Sequence, residues 1–252
     1  MFKHRLCIGR GGSAVLLAVL IGLLGEAHAA ASFFGPTPYL SFANSPFNGP
    51  SFSYFHLENF EDGVLNTPGV SASPGWVVAA PSALTDSVDG DDGSIDGSGT
   101  AGWSLFSNGT SSSLTFTFNA AALGGSLPTH VGIVWTDVGN ATPVVGFGGV
   151  SFSALDAHGV SLGGIGPVTL GDGNAAGGTA EDRFFGVTNS DGISQITISM
   201  SNSTDWEVDH LQYGLQAAVP EPSALILLAA GLAGVLALVL RRSRVGPSHS
   251  AR

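Results

Sequence analysis

The sequence predicts an all-β protein, an antiparallel β-sandwich of jelly-roll type, flanked by an N-terminal signal peptide and a C-terminal transmembrane helix. Three observations carry this. The apolar segments between residues 57 and 219 are short and alternate with period two. Gly, Ser, Asn, Asp and Pro punctuate them every ten or so residues. Greasy runs that do not alternate stand at both ends.

Leu114, Phe116 and Phe118 alternate with Thr115 and Thr117, and Ile196 and Ile198 with Thr197 and Ser199. Residues 131–136, 150–155, 160–162 and 184–187 add further strands, and residues 206–213 form the last. In that last strand, strict alternation puts Trp206, Val208, His210 and Gln212 on one face and Glu207, Asp209, Leu211 and Tyr213 on the other. Residues 120–123 are the nearest approach to helical periodicity and are too few for a helix. Pro36, Pro38, Pro46 and Pro50 make residues 30–56 an irregular lead-in, so the sandwich is expected over 57–219.

At the front, Lys3, Arg5 and Arg10 precede an apolar run from Ala14 to Leu24, and Ala27 and Ala29 supply the small residues of a cleavage site. This is the three-part pattern of a secretory signal peptide over residues 1–29; its apolar run of about 11 residues is short of the roughly 20 that a span requires. Cys7 is the one cysteine. Removal of the leader leaves a chain with no disulfide, thiolate metal site or cysteine nucleophile.

Seven of the 8 Lys and Arg lie in the leader or beyond residue 240, which leaves Arg183 between residues 30 and 219. Of the 19 Asp and Glu, Glu26 and Glu221 fall outside that stretch, so 17 remain and its formal charge is −16. Such a surface repels phosphate backbones and excludes nucleic acid as a partner.

Residues 224–240 are 17 uncharged positions, about 25 Å of helix against a hydrocarbon core of roughly 30 Å. Pro220 and Pro222 stop the helix upstream. Arg241, Arg242 and Arg244 favour a cytoplasmic end, with residues 245–252 as a short cytoplasmic tail. Pro220-Glu221-Pro222, a helix over 223–240 and an arginine cluster, in that order, resemble the PEP-CTERM sorting signal of Gram-negative bacteria over residues 220–244. The resemblance implies recognition by an exosortase, cleavage near the Pro-Glu-Pro motif, transient anchoring in the inner membrane and delivery to the cell surface or the extracellular polysaccharide matrix. Secretion machinery and signal peptidase are the partners implied at the other end.

No GxSxG, HExxH or GxxxxGK[ST] motif is present, and His56, His130, His158 and His210 are scattered singly. The expected role is therefore that of a non-enzymatic surface or matrix protein associated with extracellular polysaccharide. A carbohydrate-binding module is the alternative. A polysaccharide-modifying enzyme, working through paired carboxylates among Glu58, Glu61 and Asp209, is the third reading.

Two acidic sets are rival candidates for a structural calcium. Asp86, Asp89, Asp91, Asp92 and Asp96 fall within 11 residues, where mutual repulsion would be relieved by a hard cation, though Gly93 breaks the EF-hand pattern. Glu58 or Glu61 near the start of the domain, with Asp209 on its last strand, are similar in type and place to the calcium ligands of many jelly-roll carbohydrate-binding modules. Arg183 has the planar fork that binds a uronic-acid carboxylate, or it closes an internal ion pair.

Overall fold

The computed structural model describes residues 30–73, 75–82, 84–90, 102–138, 148–171, 182–201, 203–218, 230–236 and 241. Ala27, Ala29, Asp91, Asp92, Asp96, Pro220, Glu221, Pro222, Arg242 and Arg244 lie outside the described residues. So does the rest of the predicted leader.

Among the described residues, twelve strands form two antiparallel sheets. In chain order they are β1 (Ser32–Pro38), β2 (Phe52–Glu58), β3 (Val70–Ala72), β4 (Val77–Ala79), β5 (Ser104–Phe106) and β6 (Ser113–Phe118). After them come β7 (His130–Val138), β8 (Gly148–Asp156), β9 (Ser161–Leu170), β10 (Arg183–Thr188), β11 (Ile193–Met200) and β12 (Trp206–Gln216). The larger sheet runs β1-β10-β7-β12-β5-β4, with β2 also paired to β12; the smaller runs β3-β6-β11-β8-β9. Residues 120–123 form a short 3-10 turn, capped by the Asn119 side chain.

The two sheets face one another across a shared core, which makes a β-sandwich. Leu114, Phe116, Ile196, Ile198 and Phe152 reach in from the smaller sheet, and Ile133, Trp135, Phe185, Trp206 and Tyr213 from the larger. Each fully buried side chain of this size contributes about 1.5–3 kcal/mol of transfer free energy, so the alternating runs of the sequence supply the bulk of the cohesion.

Two strands lie where the prolines predict an irregular lead-in, so the sandwich begins at residue 32 and not at 57. Pro36 and Pro38 sit in β1, a terminal strand that pairs with β10 alone and with a register shift between Phe34 and Thr37. An edge position needs no proline N–H on its open side. β2 lies clear of Pro46 and Pro50 and pairs with the second half of β12.

The second departure is in β12. Trp206, Val208, Leu211 and Tyr213 all belong to the shared core, which strict alternation forbids. The register against β7 shifts between Asp209 and Gln212, and His210 adopts a left-handed conformation with φ of 45°. One extra residue in the bulge resets the phase. Glu207, Asp209 and Gln212 consequently point to the outer face of the large sheet.

That outer face is itself covered. Tyr39, Phe47, Val88, Val134 and Phe184 make a second, smaller core. Gly132 and Gly186 are partners across β7 and β10, and a Cβ on Gly132 would come within 2.4 Å of the Phe184 ring. The paired glycines leave the hollow in which Phe184 lies, stacked 5.9 Å from Tyr39.

The chain divides into two compact units, residues 1–216 and 217–252. In the second, residues 230–236 are helical. Among the described residues no helix is long and apolar enough to cross a membrane; most of the predicted span at 223–240 lies outside them.

Candidate functional site

The bulge of β12 gathers the polar groups. Asp209 is fully buried, and its carboxyl accepts from its neighbour's backbone, His210 N at 2.6 Å, through Oδ1. Its Oδ2 accepts from Ser87 Oγ at 3.0 Å and Val88 N at 2.9 Å. Glu207, also buried, accepts from Asp86 N at 2.7 Å. The outward acids of the last strand thus fasten residues 86–88 onto the large sheet. Burial pushes both carboxyls up to about 7, against the stabilising pull of those donors.

His210 extends the network. Its Nε2 lies 3.2 Å from Asp89 Oδ2, and its Nδ1 lies 3.0 Å from the Tyr39 hydroxyl. Gln212 Nε2 donates to that hydroxyl at 2.8 Å, and Ser45 Oγ donates to Gln212 Oε1 at 2.5 Å. One proton arrangement satisfies all four contacts: Gln212 donates to Tyr39, Tyr39 to Nδ1, and Nε2–H to Asp89. Asn59 Nδ2 adds a second donor to Asp89 Oδ2 at 2.7 Å. The hydrogen bond from His210, with the Asn59 bond, holds the Asp89 carboxyl below the usual carboxylate range despite partial burial.

Asp89, Asp209 and His210 each place one ligand atom within 4.8 Å of the others. The rival acidic sets of the sequence therefore meet: Asp89 comes from the acidic loop and Asp209 from the last strand. Glu61 joins them through Ser87, whose Oγ is 3.5 Å from Glu61 Oε1, while that oxygen accepts from Trp103 N at 2.6 Å. Glu58 does something else. Its Oε1 takes Phe60 N at 3.0 Å, and its Oε2 takes Asn66 N and Thr67 N, each at 3.1 Å. It clamps the loop after β2. Asp86 is buried beside Glu207. Arg183, half-buried between β1 and β7, donates from Nη1 to the Asp182 carbonyl at 2.8 Å.

Calcium takes six to eight oxygens, whereas an imidazole in the set suits softer ions. The Asp89–Asp209–His210 cluster is mixed, and Asp209 already serves three donors. A cation there would be held by Asp89, Asp209 and His210, at the expense of some of these hydrogen bonds. Farther along β12, Asp137, Asp205 and Glu207 line a cavity of about 260 Å³ with Leu84 and Phe106.

Sequence reasoning missed His210, Tyr39, Asn59, Ser87 and Gln212. The adjacency of Asp209 and His210 was visible, but a strict strand would send them to opposite faces. The bulge is what turns both to one network.

Outside the sandwich, a family model for the PEP-CTERM protein-sorting motif matches residues 218–243. The chain carries a PEP-CTERM sorting motif. Its Arg241 is helical and exposed. No curated protein matches the chain. Among solved structures, the N-terminal CBM22-1-CBM22-2 tandem domain from Paenibacillus barcinonensis Xyn10C is similar with a TM-score of 0.36 and 12% identity, over 69% of this chain and 49% of that one. The chain thus spans about half of that structure, and similarity at this level carries no argument about function.

Proposed function

We propose that the protein is a non-enzymatic component of the cell surface or extracellular matrix, exported by the secretion machinery, trimmed by signal peptidase after Ala29 and by an exosortase near Pro220-Glu221-Pro222, and associated outside with extracellular polysaccharide. The observation that carries this reading is the sorting motif at residues 218–243. In this reading the sandwich, of jelly-roll type, is the cargo and the tail is its address.

The chemistry of the acids supports a structural role for them. Glu58, Glu61 and Asp209, the carboxylates that an enzyme would use, each accept from backbone N–H groups of neighbouring loops. Groups so engaged hold the fold in place and are poorly free to shuttle protons. Calcium belongs to the same proposal, with Asp89 and Asp209 as the ligands that the two acidic sets contribute jointly.

Intact mass spectrometry of protein extracted from the host surface tests the processing. The expected chain begins near Ala30 and stops near residues 220–222. Recovery of surface chains that retain residues 230–236 and run to Arg252 would overturn the exosortase reading.

A further inference from the structure

The open side of the sandwich, between the terminal strands β3 and β4, holds a cleft of about 540 Å³. Leu65, Val70, Ala72, Trp76, Val78 and Leu105 form its apolar walls, and Ser71 and Ser73 also line it, the Ser73 Oγ accepting from Thr115 N at 3.4 Å. None of its lining residues is charged. In a stretch of formal charge −16 that neutrality is the exception, and the cleft has no cation with which to pair a carboxylate, sulfate or phosphate. Its volume falls within the range of small-ligand clefts, roughly 300–1,000 Å³.

Trp76 gives this cleft a rigid aromatic wall. Its Nε1 donates to the Ser113 carbonyl at 3.3 Å, and its ring meets Trp206 edge-on at 4.7 Å. The ring is therefore locked from behind while the residue stays half-buried. Among the described residues β3 pairs with β6 alone and β4 with β5 alone, so each presents one open edge of backbone N–H and C=O groups on this side. An apolar wall, a fixed indole and main-chain donors and acceptors together suit a ligand with apolar C–H faces and many hydroxyls.

We infer that the cleft between β3 and β4 binds a segment of a neutral polysaccharide, with Trp76 as the stacking wall and the open backbone edges of β3 and β4 as the hydrogen-bonding groups. This rests on the proposed association with extracellular polysaccharide and gives it a place and a charge class.

Affinity electrophoresis of the full chain in mild detergent tests it, with laminarin, mannan and hydroxyethylcellulose as neutral polymers and alginate as the anionic one. At least one neutral polymer should retard the protein and alginate should not. Val64→Asp charges the rim of the cleft and Val64→Trp crowds it, where Val64 is 48% exposed. Each should weaken retardation at least tenfold with an unchanged melting temperature. Trp76→Leu should do the same, and the two rim variants keep the test valid should it fold poorly. Absence of retardation by every neutral polymer, equal retardation of wild type and rim variants, or a self-associated species that the rim variants dissolve would each overturn the inference. The last would mean that the strand edges take a second chain. Mass spectrometry of the same surface-extracted protein separates the outcomes, since correct processing without glycan binding refutes the cleft and leaves the sorting reading standing.

Discussion

Asp209→Ala removes the acceptor on which the bulge of β12 depends. Three donors converge on that buried carboxyl: His210 N at 2.6 Å, Val88 N at 2.9 Å and Ser87 Oγ at 3.0 Å. The hydroxyl can rotate towards Glu61 Oε1, 3.5 Å away, but the two backbone N–H groups have nowhere to turn. A buried donor left without a partner costs about 1–3 kcal/mol. Against this, the variant no longer buries a carboxyl that burial holds up to about 7. At pH 4 that carboxyl is neutral in the folded chain and about half neutral in the unfolded one, so the offset is small and the two orphaned donors dominate. The expected loss is about 3 kcal/mol, which for a domain of this size lowers the melting temperature by roughly 6–12 °C. Asp209→Asn keeps one carbonyl acceptor and should lose about half as much. Thermal denaturation at pH 4, followed by circular dichroism on the full chain in detergent, measures both. An alanine variant that melts within about 2 °C of wild type would refute the claim that Asp209 fastens residues 87–88 to the sheet.

Glu207 has a folded-state midpoint of about 7, above the ~4.3 of a free glutamate. The folded chain keeps a proton that the unfolded chain releases, so the stabilisation is complete below about pH 4 and gone above pH 7. Buried His130 and half-buried His56, both lowered by burial, act in the opposite sense, which is why the comparison is with Glu207→Gln. Relative to wild type, that variant should gain about 2 kcal/mol between pH 5 and pH 8; an equal difference in melting temperature at both pH values refutes it. Calcium at a hundredfold excess over its Kd should add about 2.7 kcal/mol beyond sodium chloride of matched ionic strength, and Asp209→Asn or Asp89→Asn should erase the increment; equal melting in calcium, chelator and sodium chloride eliminates the site. Glu58→Gln leaves an amide where one oxygen served two N–H groups, and should cost about 1–3 kcal/mol with no change in calcium response; a calcium-specific loss would make Glu58 a ligand.

Where a segment's contacts are periodic and local, its structure was legible. Leu114, Phe116 and Phe118 predict β6, and Ile196 and Ile198 predict β11, because alternation is enforced wherever one face is buried and the other open. β12 defeated the same rule, since both of its faces are covered and nothing in the residue pattern marks His210 as the bulge. β1 was hidden by prolines that an edge strand tolerates, and β3, β4 and β5 are three residues each, too short for any period to declare itself. The site followed suit. Asp89 and Asp209 were picked out by charge, but that they belong to one cluster depends on residues 120 positions apart, paired through a bulge and a 3-10 turn at Val88–Gly90. The tail was readable because a sorting motif is linear: its information lies in the order Pro-Glu-Pro, apolar run, arginines, and needs no fold to bring it together.

β12 pairs with β7 along one side and with both β5 and β2 along the other, and it ends at Gln216, two residues before the sorting motif begins. The strand that joins three others is thus the last of the sandwich to be made and the last to cross a membrane N-terminus first. Until it emerges, β2 has no partner in the sheet, β4 and β5 form an isolated ribbon, and the donors of residues 86–88 have no acids to meet. Contacts that close so late in the chain are slow to form and leave unpaired strand edges exposed meanwhile. The same few residues that complete the sheet are followed at once by the segment that an exosortase reads, so the sorting tail reaches the membrane at the moment the sandwich first has all of its parts. A chain held there by its tail can fold tethered and apart from its copies, and be released afterwards as a finished domain.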